Sequence, residues 1–229
     1  MSNPHEWAFT PNHDEVFIQW QFDQPEVFKQ FSVLCDSNLS QGYSKAEFIQ
    51  TNHKTALFKG YLDTTVPKDG RVQHSGFASF LSKRKHKAFY RRDYYNLWSR
   101  FTHLILKVRG DGRIYLLNLG TPGSFDITSH DVYNYPLYTH GGPYWQYEKI
   151  PFSKFYCSVH ARIQDRQSPV TGEKRKADKN NRISSFGVTL IDHNDGPFEL
   201  ELAWVGVYND ATHFEEFAYE MYDYPINID

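Results

Sequence analysis

Arg109-Gly110-Asp111, within "LILKVRGDGRIYLLNL" at 104–119, is the first tripeptide with chemistry to account for: an adhesion signal, a catalytic loop or a turn. Leu104, Leu106 and Val108 alternate with Ile105, Lys107 and Arg109 before Gly110-Asp111-Gly112 interrupts the pattern. Two glycines around an aspartate supply positive φ values for a tight turn, so the local reading is a β-hairpin. That reading brings Arg109 and Arg113 together at the hairpin end, with Asp111 at the tip. An adhesion role would need an extracellular protein, which nothing in the sequence supports. No GxSxG elbow, HExxH, P-loop or GxGxxG appears, so no catalytic residue and no cofactor site is assigned. The histidines are scattered without ligand spacing, and no metal site is expected. A hydrolase would need two facing carboxylates from distant strands, and no local pattern selects such a pair.

A second stretch, "HGGPYWQYEKIPFSKF" at 140–155, is dense in aromatics. Gly141-Gly142-Pro143 reads as a turn, with Tyr144, Trp145 and Tyr147 inside the following strand. On a sheet face such rings could stack on sugars; the alternative packs Trp145 in the core.

These residues need a scaffold, and the composition indicates one. Aromatics form 17 % of the chain, with Tyr and Phe far outnumbering Met, a bias that favours strands. The sequence predicts strands at 16–22, 54–62, 73–82, 103–109, 113–119, 144–150, 183–191 and 198–208. In the first, Val16, Ile18, Trp20 and Phe22 share the inward face. In the last, Phe198, Leu200, Leu202 and Trp204 face inward, with Glu199 and Glu201 towards solvent. No long amphipathic helix separates these segments, which excludes parallel βαβ units. The expected fold is therefore all-β, an antiparallel β-sandwich or jelly roll. The expected organisation is an extension over 1–15, one domain over 16–208, and an acidic tail over 209–229. Thr212 and Glu215 form a possible capping box for a short helix in the tail.

Charge is segregated although the net charge is only −2, a balance that gives no drive towards nucleic acid. The segment 83–92 carries six Lys/Arg and no acid, and Lys83, Arg84, Lys85 and Lys87 are candidates for anionic membrane contact. The basic stretch 164–182 reads as a surface loop. From Tyr208 onwards there are six carboxylates and no Lys or Arg. Cys35 and Cys157 lack CxxC spacing and are expected as buried thiols. No window approaches the ~18 apolar residues of a membrane helix. The first residues, "MSNPHEWAFTPNHDEV", resemble neither a secretory signal nor an Arg-rich presequence.

Taken together, "VRGDGRIY", "YTHGGPYWQYEKIPFSKFY", "ISSFGVTLIDHNDGPFELELAWVGVY" and "HFEEFAYE" resemble the complex I intermediate-associated protein family. "SGFASFLSK" and the weaker "WQFDQPEVFKQFSVLCDSNLSQGYSKAEF" extend the resemblance over about Val16 to Glu220. It implies a galactose-binding-like β-sandwich and a non-catalytic role in assembling mitochondrial NADH:ubiquinone oxidoreductase. It further implies contact with other assembly factors and membrane-arm subunits, peripherally on the matrix side of the inner membrane. Arg109, Asp111, Arg113, Tyr144 and Trp145 become partner-binding candidates by position in its motifs. Ser40-Gln41-Gly42 departs from an expected Gly-Gly pair, and the basic insertion around 173–181 is longer than the pattern needs. The alternative function is a carbohydrate-binding module on the same sandwich.

Overall fold

The computed structural model describes residues 11–68, 70, 72–83, 87–88, 91–92, 95–121, 131–159, 162–163 and 183–213. In chain order the first strands are β1 (Val16–Gln21), β2 (Phe31–Cys35), β3 (Lys45–Gln50), β4 (Ala56–Leu62) and β5 (Ala78–Ser82). A short pair follows, β6 (Lys87–Ala88) and β7 (Arg91–Arg92), then β8 (His103–Gly110) and β9 (Ile114–Gly120). The remainder are β10 (Asp131–Tyr138), β11 (Gln146–Pro151), β12 (Tyr156–Val159), β13 (Arg162–Ile163), β14 (Ser185–Leu190) and β15 (Gly196–Tyr208). One α-helical turn, α1 (Pro25–Phe28), starts on a proline whose missing N–H costs nothing there.

All pairings are antiparallel. One sheet has the order β11-β8-β15-β4-β3, with β1 added beside the C-terminal half of β15. The other runs β13-β12-β10-β9-β14-β5-β2. This is the expected β-sandwich, with more strands than expected. Strands β2, β3, β6, β7, β10, β12 and β13 are not among the predicted ones, because short or mixed segments such as "KAEFIQ" give a weak alternation signal.

The core between the sheets is aromatic. Trp20 meets Phe31, Tyr95, Trp98 and Phe186 at ring-centroid distances of 5.3–5.9 Å. Phe48 and Phe80 stack at 4.3 Å, 9° from parallel. Such ring pairs add about 0.5–1.5 kcal/mol each beyond the area they bury. Cys35 and Cys157 are buried free thiols, and Cys35 Sγ donates to Asn38 Oδ1 at 2.9 Å. No helix among the described residues is long and apolar enough to cross a membrane.

Three expectations are corrected. Strands β8 and β9 do not form a hairpin: β8 is bonded on both edges by β11 and β15, and β9 by β10 and β14. The link 111–113 is instead an arch from one sheet to the other, with Gly112 at φ +95°. Leu104, Leu106 and Val108 therefore face Tyr115, Leu117 and Leu119 across the core, and all six are buried. In β1, a register irregularity between Ile18 and Trp20 splits the anticipated apolar face. Val16 and Ile18 are exposed, whereas Trp20 and Phe22 are buried. In β15, an irregularity between Leu202 and Trp204 turns Trp204 away from the core and brings Val205 and Val207 into it. Glu201 is not solvent-facing; it is 4 % exposed.

The boundary expected at 209 carries contacts back to the chain start. Asn209 N donates to Glu15 O at 2.9 Å, and its side-chain amide donates to Pro11 O and Asn12 O. The basic stretch 164–182 and most of the acidic tail, including Glu215, lie outside the described residues.

Candidate functional site

The partner-binding candidates fall into two clusters, one on the sheet built on β8 and one at the arch that links the two sheets. Register explains the first: Arg109 on β8 lies directly across from Glu201 on β15, which lies across from Leu57 on β4. Arg109 Nε donates to Glu201 Oε2 at 2.9 Å, Nη2 donates to the same oxygen, and Nη1 donates to Pro143 O at 3.1 Å. Thr55 Oγ1 donates to the other carboxylate oxygen. The Glu201 charge is thus removed from water but matched by hydrogen bonds from both sides, the condition under which a buried ion pair is tolerated. The guanidinium also sits 5.0 Å from the ring centre of Trp145. Glu201 is not legible as a site residue in the sequence, because its partner is 92 residues away and only sheet register unites them.

The second cluster belongs to the arch. Arg113 Nε and Nη2 grip the two Asp192 oxygens at 2.7 Å each. Its remaining donors reach the carbonyls of Asn194, Gly196 and Pro197. Asp111 accepts from Arg113 N at 3.0 Å, Glu199 N at 2.8 Å and the Tyr115 hydroxyl at 3.1–3.2 Å. The arch between β8 and β9 is in this way clasped to the connection between β14 and β15. Burial opposes ionisation of Asp192, but hydrogen bonds from Arg113 and from Asn194 N outweigh it and hold the carboxyl below its usual range. Burial and then the Asp111 charge push the Tyr115 phenol well above its usual range. Arg109 and Arg113 therefore do not meet at one tip; each has its own carboxylate, and both ion pairs are intramolecular.

A further carboxylate, Asp36, is fully buried. It accepts from Ser44 N and Oγ, Ser75 Oγ and Gly76 N at 2.8–3.1 Å. A Cβ at Gly42 would lie 2.2 Å from Asp36 Oδ2, so this turn admits only glycine. At the preceding Ser40, φ is +57°, so a non-glycine residue takes the left-handed turn where a Gly-Gly pair was anticipated. Buried His103 has Nδ1 2.7 Å from Thr102 Oγ1 and its ring 4.6 Å from that of His213. Burial, then the charges of His213 and Lys149, lower its pKa to about 4. Among the described residues no group of three or more His, Cys, Asp or Glu is placed to hold a metal.

Tyr144 and Trp145 precede strand β11 rather than lying inside it. Tyr144 is 84 % exposed and Tyr147 63 %, while Trp145 is half-buried, outside the core. Lys107 Nζ lies 5.3 Å from the centre of the Trp145 ring and 5.2 Å from that of Tyr147. Trp204, brought outward by the β15 irregularity, packs 6.2 Å from Tyr147. The sheet thus presents aromatic rings interleaved with Lys107 and Arg109; Lys107 and Trp204 were not among the candidates. Of the membrane-contact candidates, Lys83 is exposed at the end of β5, its N–H donating to Gln30 O at 2.6 Å. Lys87 lies in β6, opposite Arg92. Arg84 and Lys85 lie outside the described residues.

The solved family 11 carbohydrate-binding module of a cellulosomal cellulase from Clostridium thermocellum superposes with a TM-score of 0.53. The match covers 89 % of this chain and all of that one at 11 % identity, a likeness of fold alone. By sequence, the chain is 46 % identical over 214 residues to the Caenorhabditis elegans "Probable complex I intermediate-associated protein 30, mitochondrial". That match covers 93 % of this chain but 60 % of the relative's length. It is 41 % identical over 220 residues to the Drosophila melanogaster "Complex I intermediate-associated protein 30, mitochondrial", covering 95 % of this chain and 71 % of that protein. The family description "Complex I intermediate-associated protein 30" matches residues 20–202, and the chain belongs to that family.

Proposed function

We propose that the chain is a non-catalytic assembly factor for mitochondrial respiratory complex I. It binds other assembly factors and a membrane-arm intermediate on the matrix side of the inner membrane, and holds that intermediate together until further subunits arrive. The observation that carries this reading is the family match across residues 20–202. A protein that acts this way stabilises its partner by mass action, in proportion to ln(1 + [L]/Kd), with no bond made or broken. The sandwich suits such a role, because its charged clusters at Arg109–Glu201 and Arg113–Asp192 stiffen loops beside an exposed aromatic face. Depleting the protein from cells should reduce mature complex I and leave partial intermediates, while the purified chain turns over no substrate. Normal complex I levels after complete depletion would overturn the proposal.

Peripheral membrane contact belongs to the same proposal, through Lys83, Arg84, Lys85 and Lys87. Replacing these four with Gln should weaken sedimentation with vesicles containing anionic lipid at low salt, each charge near the surface contributing about 1 kcal/mol. Unchanged sedimentation would remove this segment from the membrane contact. The second reading, a carbohydrate-binding module, is favoured by the exposure of Tyr144 and Tyr147. Against it, Trp145 already holds two cations and Tyr147 one, on rings that sugar stacking would need.

A further inference from the structure

At the centre of the outer face of the sheet built on β8 lies a cation, Lys107, whose charge no carboxylate among the described residues answers. Its neighbours are all paired: Arg109 with Glu201, Lys149 with Asp210 at 2.9 Å, and Lys59 with Glu47 at 3.1 Å. Among the described residues no carboxylate pairs with Lys107, whose ammonium is held instead by the rings of Trp145 and Tyr147. In the register, Tyr147 on β11 and Trp204 on β15 flank Lys107 directly. Two residues back along the strand comes half-buried Ile105, which Gly206 separates from exposed Ile18 on β1. Around Lys107 the face therefore offers an unpaired ammonium with aromatic rings to either side and an aliphatic patch beyond.

We infer that this face, centred on Lys107, docks a segment of a partner protein that places a carboxylate side chain on the Lys107 ammonium and apolar side chains against Trp204, Ile105 and Ile18. Aromatic rings hold a cation while leaving its N–H groups free to donate, so Lys107 is fixed in place for an incoming acceptor. A carboxylate fits better than a phosphate. Phosphate sites gather several donors, commonly Arg forks or backbone N–H groups. Here three of the five Arg109 donors are already bonded to Glu201 and Pro143, and the Lys149 charge is paired with Asp210. One ammonium matches one monoanion, and apolar surroundings strengthen the pair once water is excluded. This inference rests on the partner-binding reading above and names the chemistry of one contact within it.

The test is to pan a random display library of peptides about twelve residues long on the intact chain, then measure synthetic versions of the selected peptides by fluorescence anisotropy. The selected sequences should share an Asp or Glu next to apolar or aromatic residues. Lys107→Glu should weaken them at least roughly tenfold, the loss expected when a docked charge pair becomes a repulsion. Lys107→Arg should retain binding, and a peptide with its acid changed to Lys should bind Lys107→Glu better than wild type. Lys107→Arg should melt as wild type does and Lys107→Glu only slightly lower, because it forfeits the contacts with the Trp145 and Tyr147 rings but no buried partner. Selected peptides without an acid, or insensitive to Lys107→Glu, would overturn the inference. So would Lys107-dependent binding of a mixed-linked β-glucan or of phosphatidylglycerol vesicles where peptides fail. Lys107→Glu protein that still co-migrates with complex I intermediates would also count against this site while leaving the assembly role standing. Failure of the wild-type chain to co-migrate would strike the assembly role instead.

Discussion

Arg109 and Glu201 are unequal partners in one ion pair. Arg109 keeps about a third of its side chain in water, whereas the Glu201 side chain is 5 % exposed. Removing the arginine strands a carboxylate away from solvent; neutralising the carboxylate leaves a cation that water still reaches. Arg109→Ala should therefore destabilise by about 3–5 kcal/mol, as breaking a buried pair does. Glu201→Gln should cost less, about 1–2 kcal/mol, because its amide can still bond Thr55 and Arg109. Urea unfolding of the two variants measures the difference. Equal losses would show that the pair is solvated like a surface bridge. Asp36 presents the same physics in a form with no cationic partner among the described residues: four N–H or O–H donors converge on it. Asp36→Ala leaves those donors buried and unanswered, at a cost of roughly 3 kcal/mol or more, readable in the same titration.

At the level of elements, the arch over 111–113 and the connection over 191–195 act as one unit through Arg113 and Asp192. The folded pKa of Asp192 lies below its unfolded value, so its contribution is fully present above about pH 4 and is lost as pH falls through the lower folded value. Asp192→Asn should accordingly be less stable than wild type at pH 7, with the gap narrowing in acid. Equal acid unfolding curves with a constant gap would contradict that assignment. Arg113→Lys should not restore the clasp, since a lysine cannot span two carboxylate oxygens and three carbonyls at once. Most of the strands are legible in the sequence, because Leu104, Leu106 and Val108, or Phe198, Leu200 and Leu202, repeat with period two. What joins them is not. A glycine-flanked aspartate serves a hairpin and a sheet-to-sheet arch equally well, and only the pairing of β8 with β11 and β15 decides between them. The shifts in β1 and β15 are hidden for the same reason, since a bulge is a property of two strands and leaves no mark on one. At the candidate site, the aromatics of 140–155 stand out in the sequence. Lys107, Glu201 and Trp204 do not, because each gains its meaning from a neighbour across the sheet.

At the scale of the molecule, the described residues form a sandwich whose sheets meet over an aromatic core and whose ionic clusters fasten loops. Exposed Tyr144 and Tyr147, with Lys107 and Trp204 beside them, give it the face that we propose serves partner binding. Residues 11–15 and 209–211 are bonded to each other, so both ends of the described chain leave from neighbouring places on the fold. If the chain works by holding an incomplete complex I, it must travel with that assembly and leave it on completion. A native-gel complexome profile of mitochondria from cells carrying a tagged, import-competent form reads this out. The tag should migrate with partial complex I assemblies and be absent from the mature enzyme. Migration solely as a free monomer would contradict the assembly role.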